Sequence, residues 1–191
     1  DVLEIGDNAL NMSGGGIFYN TGSLNLNHEG SVLKLDGISK VEHVTFGENL
    51  TGGFLDVDQN SKIQTISHIK SSKIDIADQT NLTMVNGFEI PQGKTMELKG
   101  TGGGTIDISD NITLSGILKL NAEKNIVSGG KLIFNDGLLD LDQDASIASK
   151  IMLSKNAGMD LSSGKKLSVT QSFDVPANLK LEIAGNDGGS L

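Results

Sequence analysis

The chain has no cysteine and no tryptophan among its 191 residues, and only 2 prolines. Without cysteine there is no disulfide framework and no thiolate metal site. Arginine is missing as well: all 15 basic residues are lysine, against 24 acidic ones, for a net charge of −9. Arginine is the preferred reader of phosphates and guanine edges, and no basic patch replaces it, so nucleic acid is excluded as a partner. Aromatic residues make up only 4%, which leaves Ile, Leu and Val to build the core. No apolar run approaches the ~20 residues that span a bilayer, so no transmembrane segment is expected. Glycine is abundant at 25 residues, but no strict G-X-Y period makes it collagen. Apolar and polar residues alternate throughout, which argues against disorder.

What is present is a repeat. "FEIPQG" at 88–93 returns as "FDVPAN" at 173–178, a step of 85, and "LEIGDN" at 3–8 stands 85 earlier. "SVLKLDG" at 31–37 returns as "GILKLNA" at 116–122, and "GFLDVDQ" at 53–59 as "GLLDLDQ" at 137–143. The chain thus reads as slightly more than two copies of an 85-residue unit. A finer period lies inside it. Apolar-x-apolar triplets begin at Leu33, Leu55, Ile74, Met96, Leu118, Leu139, Met159 and Leu181, in steps of 22, 19, 22, 22, 21, 20 and 22. Each step holds two further short alternating pieces, such as "LTM" at 82–84 and "FEI" at 88–90.

Alternation marks strands with one buried face, and no stretch keeps helical spacing. Gly, Asn, Asp and Ser separate the pieces, as turns require. Three short strands per coil of about 21 residues, stacked coil on coil, describe an all-β parallel β-helix, or β-solenoid. Left-handed hexapeptide helices keep a strict shorter period, so a right-handed helix is expected. About nine coils at ~4.8 Å give a rod of roughly 43 Å. Residues 1–191 form a single solenoid segment, and the sequence reads as excised from a longer repeat protein. A two-sheet sandwich is the rival fold, but sandwiches do not repeat every coil.

The triplet residues should point inward, those at Leu33 and its equivalents in one column and those at Leu35 and its equivalents in the next. Between them Lys34, Asp56, Asp75, Glu97, Lys119, Asp140, Asp160 and Glu182 should point outward, in the order K-D-D-E twice over. Stacked carboxylates repel. The two readings are a solvated face and a weak calcium site on Asp56, Asp75 and Glu97, repeated on Asp140, Asp160 and Glu182. No other cofactor is expected. "DVDQN" at 56–60 and "DLDQD" at 140–144 start like calcium loops, but the required Gly and Glu do not follow. Phe54 and Leu138 are equivalent apolar residues that alternation turns outward; they are candidates for self-association, or else corner side chains under a neighbouring loop. His28, His43 and His68 lack zinc spacing and read as surface residues. Four Asn-x-Ser/Thr triplets, at Asn11, Asn49, Asn81 and Asn111, read as turn-to-strand junctions.

The long coils, the missing Cys and Trp, and the pieces "GGGIF" at 14–18 and "GGKLIF" at 129–134 resemble the β-helical passenger regions of bacterial autotransporters and filamentous-haemagglutinin-type adhesins. That resemblance implies an extracellular or cell-surface rod that serves adhesion or assembly, with no catalytic residue. Its partners would be host or neighbouring-cell surface molecules or glycans, or other copies of the rod. The alternatives are a carbohydrate-active β-helix, either lyase or hydrolase, and a trimeric phage tail-spike-like fibre. An enzyme would place its carboxylates in one unique groove, whereas here they recur with the repeat and no arginine accompanies them.

Overall fold

The computed structural model describes strands at Val2–Glu4, Ala9–Asn11, Gly16–Phe18 and Ser23–Leu26, then residues 31–37, 39–46, 53–68, 72–100, 102, 104–122 and 124–185. His28 and Asn49 lie outside them. All the regular elements are strands, and every pairing between them is parallel. One sheet of nine strands runs Ala9–Asn11, Val32–Leu35, Phe54–Val57, Ser72–Ile76, Thr95–Lys99, Ile117–Leu120, Leu138–Leu141, Ala157–Leu161 and Leu181–Gly185. We call this sheet I. Each of its strands pairs with the one a full coil later, which makes the chain a parallel β-solenoid.

The other two faces follow in chain order. Sheet II carries Asn81–Met84, Gly104–Ile108, Lys124–Ser128, Ala145–Ile147 and Leu167–Val169. Sheet III carries Phe88–Ile90, Ile112–Leu114, Lys131–Phe134, Lys150–Leu153 and Phe173–Asp174. Nearer the N-terminus the expected three strands per coil become two, because Ser39–Phe46 and Ser61–His68 each run through the corner as one eight-residue strand. The front of Ser39–Phe46 pairs with Gly16–Phe18 and its back with Ser23–Leu26. The cause is local. Later coils turn this corner at Asn86–Gly87 or Gly129–Gly130, while the earlier ones carry Glu42–His43 and Gln64–Thr65. Those pairs break the alternation by facing outward together without a turn residue to end the strand.

The core is aliphatic, as the composition requires, with the rings of Phe46 and Phe134 fully inside it. The inward columns are buried from Leu33 through Met159 and from Leu35 through Leu161. On the last strand Leu181 is only partly buried and Ile183 is 48% exposed. Corners are tight enough to demand glycine: a Cβ at Gly137 would run into the Leu114 carbonyl one coil away, and one at Gly116 into that of Pro91.

The register departs from equal spacing at two places. Ile74 stands against Leu98, not Met96, and Met159 against Ile183, not Leu181. Both steps are 24 residues, and they lie 85 apart at the same point of the unit (Ile74 to Met159). A shift of two keeps every inward side chain inward, although it changes what some of them meet: Met96 stands on Ser72 and Leu161 on Gly185.

Leu98 is 1% exposed, between Ile74 and Leu120. Leu98→Asp strands an unpaired charge there and should cost about 3–5 kcal/mol in denaturant melts. Asp160→Asn, on an exposed outward position, should change stability by less than about 0.5 kcal/mol. Equal losses would refute the inside–outside assignment.

Candidate functional site

The outward face of sheet I carries most of the residues singled out in the sequence, and the register re-sorts them. Down one column the order is Lys34, Asp56, Asp75, Lys99. Glu97, expected on Asp75, stands between Lys73 and Lys119, and below it follow Asp140, Asp160 and Ala184. Glu182 stands against Gly158. The expected stack of three carboxylates is therefore replaced by pairs, Asp56 with Asp75 and Asp140 with Asp160. The two-residue shift explains this physically. Without it Asp75 would face Glu97 and Asp160 would face Glu182, and like charges directly opposite are destabilising. With it, Asp75 meets Lys99 and Glu97 meets two lysines. Among the described residues, no group of three or more His, Asp or Glu is placed to hold a metal ion.

Lysines relieve the remaining pairs. Lys34 Nζ lies 3.2 Å from Asp36, 3.3 Å from Asp56 and 2.9 Å from Asp58. Its equivalent, Lys119, lies 3.1 Å from Asp140 and 2.7 Å from Asp142. The third acid of the first cluster, Asp36, has Asn121 as its counterpart 85 residues on. Asn121 instead donates to Glu97 Oε1. The Lys34 ammonium is pushed above its ordinary value by hydrogen bonds to Asp58, Asp36 and then Asp56. Asp56 does not show the mirror shift. Burial first, and then the charges of Asp58 and Asp75, raise its carboxyl against the pull of Lys34, so the ion pair there offsets a desolvation penalty more than it adds stability. Asp142 is held below the carboxylate range by Lys119 and then by Ser162.

Phe54 and Leu138 do face outward, and both are half-buried. Each sits on an apolar neighbour, Phe54 on Val32 and Leu138 on Ile117. Lys99 Nζ lies 5.2 Å from the centre of the Phe54 ring, a cation–π contact.

A second set of residues went unread in the sequence. At the corners, Asn and Asp side chains accept hydrogen bonds from backbone N–H groups one coil on. Asn60 Oδ1 accepts from Asn81 at 2.8 Å, Asn111 Oδ1 from Lys131 at 2.8 Å, Asp144 Oδ1 from Lys166 at 2.9 Å and Asn156 Oδ1 from Lys180 at 3.0 Å. Each bond serves the N–H at or near the start of a strand, where the ladder has not yet begun. The signal was an Asn or Asp just before a strand in coil after coil. Asn111, a sequon in form, is one of these caps.

Sheet II presents a different face. Lys40 stands in register with Lys62, and Lys62 with Thr83. Beside them a shallow groove of about 360 Å³ is lined by Ser39, Lys40, Asn60, Ser61, Lys62, Asn81 and Thr83. A smaller one, about 220 Å³, lies at the sheet III corner around Glu89, Ser115, Asn135 and Lys155. There Ser115 Oγ donates to Glu89 Oε1 at 2.6 Å and Asn135 Nδ2 to Ser115 Oγ at 2.9 Å, a ladder that joins successive coils.

Comparison of the chain with protein-family models, with curated proteins and with solved structures finds no match.

The Lys119 cluster makes a pH prediction. Asp142 is depressed, so its contribution is present above its unfolded value near ~3.9 and is lost as pH falls through the lower folded value. Lys119 is raised, chiefly by Asp142 and then Asp140. Its contribution is full below the unfolded lysine value near ~10.4 and is lost as pH rises through the folded one. Lys119→Gln should therefore destabilise the chain near neutral pH by at most about 1 kcal/mol, since the pair is partly exposed. Its melt should converge on that of the parent near pH 2. A gap that persists at pH 2 would remove the ion pairs as its cause.

Proposed function

We propose that the chain is a rod segment of an extracellular or bacterial cell-surface protein, a stalk, filament or adhesin passenger whose work is to space and display rather than to catalyse. The observation that carries this reading is the recurrence of detail at the 85-residue period. The lysine–carboxylate cluster at Lys34 returns at Lys119, and the register shift at Ile74 returns at Met159. Repeated surfaces suit multivalent display, in which many weak contacts add up along one rod. Host or neighbouring-cell surface molecules, glycans and other copies of the rod are the partners this reading favours.

The carbohydrate-active alternative needs a convergent acid and base. The outward carboxylates of sheet I are instead spread along columns, with Asp56 and Asp140 bridged by lysines, which speaks for the rod. The experiment is a bead assay. Beads coated with the chain should adhere to one another or to glycan-coated surfaces, and the soluble chain should release no reducing ends or unsaturated uronates from pectin, alginate or mucin glycans. Turnover without adhesion would favour the enzyme. A stable trimer in sedimentation would favour the tail-spike-like fibre.

The two apolar outward pairs on sheet I offer a contact between rods. Phe54→Ser with Leu138→Ser should leave the melting transition cooperative, because neither side chain is in the core, and should weaken self-association in sedimentation velocity. Unchanged association would remove sheet I as the contact face.

A further inference from the structure

We propose that the groove on sheet II at Lys40 and Lys62 is a binding site for an acidic saccharide, one that carries a carboxylate or sulfate among free hydroxyls. The proposal rests on the fold alone, and its failure would leave the rod reading standing.

The two lysines are the starting point. They occupy neighbouring rungs of a parallel ladder, so their stems leave the sheet about 4.8 Å apart. Ammonium groups on stems that close can meet only against their mutual repulsion, and on this chain a carboxylate partner would be easy to supply, as Lys34 and Lys119 show. Yet among the described residues neither lysine has an ion-pair partner. Glu42, two residues along from Lys40, bridges to neither. An anion placed between the ammonium groups would relieve the repulsion and gain two charge-assisted hydrogen bonds.

The rest of the groove is short and polar. Ser39, Ser61, Asn60, Asn81 and Thr83 line it, the buried Ser39 and Ser61 hydroxyls donating to the carbonyls of Gly37 and Gln59, and no large apolar side chain offers a peptide an anchor. Beyond Thr83 the next rung is Asp107, which bars a second anion from that end. The ligand therefore has its charge at the lysines and hydroxyls toward Thr83. That combination favours a sugar acid or sugar sulfate over an acidic peptide, whose charges would run into Asp107.

The chain carries its own comparison. The residues 85 after Lys40 and 84 after Lys62 are Asn125 and Ser146, which pair with each other in the same register. The second unit thus keeps the backbone and drops both charges. The two lysines therefore belong to the first unit alone.

The test uses calorimetric titration of the whole chain with four probes: a galacturonate hexasaccharide, a heparin-derived hexasaccharide, maltohexaose and hexaglutamate. One or both acidic saccharides should bind, the uronate separating carboxylate from sulfate preference, and maltohexaose should not. Lys40→Asn with Lys62→Ser, which copies the second unit, should weaken binding about ten-fold or more and leave the melting temperature unchanged. Thr83→Val should weaken the saccharides without creating affinity for hexaglutamate. Lys166→Gln with Lys180→Gln removes the same charge from exposed sites elsewhere and should leave binding intact. No binding by either acidic saccharide overturns the proposal. So does an equal loss in the Lys166/Lys180 variant, which would mean diffuse electrostatics. Hexaglutamate binding as tightly as the saccharides would replace the sugar with an acidic peptide.

Discussion

Every strand in this protein finds its hydrogen-bond partner a full coil away. Among the described residues no hairpin closes a strand on its neighbour in sequence, so no coil can satisfy its backbone or bury its inward side chains alone. Stability is then a property of the stack, and each coil must match the next in three respects: backbone register, inward volume and outward charge. The aliphatic columns meet the volume condition with Leu, Ile, Val and Met of similar size. The corner Asn and Asp side chains extend the backbone condition past the ends of the strands, taking up N–H groups that would otherwise lie at the edge of a ladder.

Outward charge favours the register that is observed. A two-residue shift keeps the inward set inward, because the side-chain period of a strand is two. It changes everything outside. At Ile74–Leu98 the shift sets Asp75 on Lys99 and Glu97 on Lys73, where the unshifted register would set acid on acid. At Met159–Ile183 it sets Asp160 on Ala184 and Glu182 on Gly158. Surface ion pairs are individually weak, and they act beside the changed inward contacts of Met96 on Ser72 and Leu161 on Gly185. Where no shift occurs, at Asp56–Asp75 and Asp140–Asp160, a lysine one rung away lies against the first carboxylate.

The same reasoning explains what could be read in the sequence. Alternation and the coil-length period gave the parallel solenoid, the inward columns from Leu33 to Met159 and the outward aspect of Phe54 and Leu138, since those follow from side-chain parity. Register within a column could not be read from L-x-L triplets, which look alike when moved by two, and so the three-acid stack was expected where pairs exist. The merged strands at Ser39–Phe46 and Ser61–His68 were hidden for a related reason: the corner is marked by two consecutive outward residues and not by glycine or asparagine. The groove at Lys40 and Lys62 was invisible because its residues are 22 and 21 apart and share no motif. Only the ladder brings Ser39, Lys62 and Asn81 together.

The outward columns as described all depend on the 24-residue step at Ile74–Leu98. A chain without cysteine lets that be measured directly, by which engineered pair forms a disulfide. Asp75→Cys with Lys99→Cys puts two thiols on facing rungs, inside the ~4.4–6.8 Å Cα range a disulfide accepts. Asp75→Cys with Glu97→Cys puts them two residues out of register, about 8 Å apart and beyond that range. Under mild oxidation the first pair should close within the monomer and the second should stay reduced, as read by the mass and thiol count of the purified chain. Closure of the 75–97 pair in preference to the 75–99 pair would contradict the account.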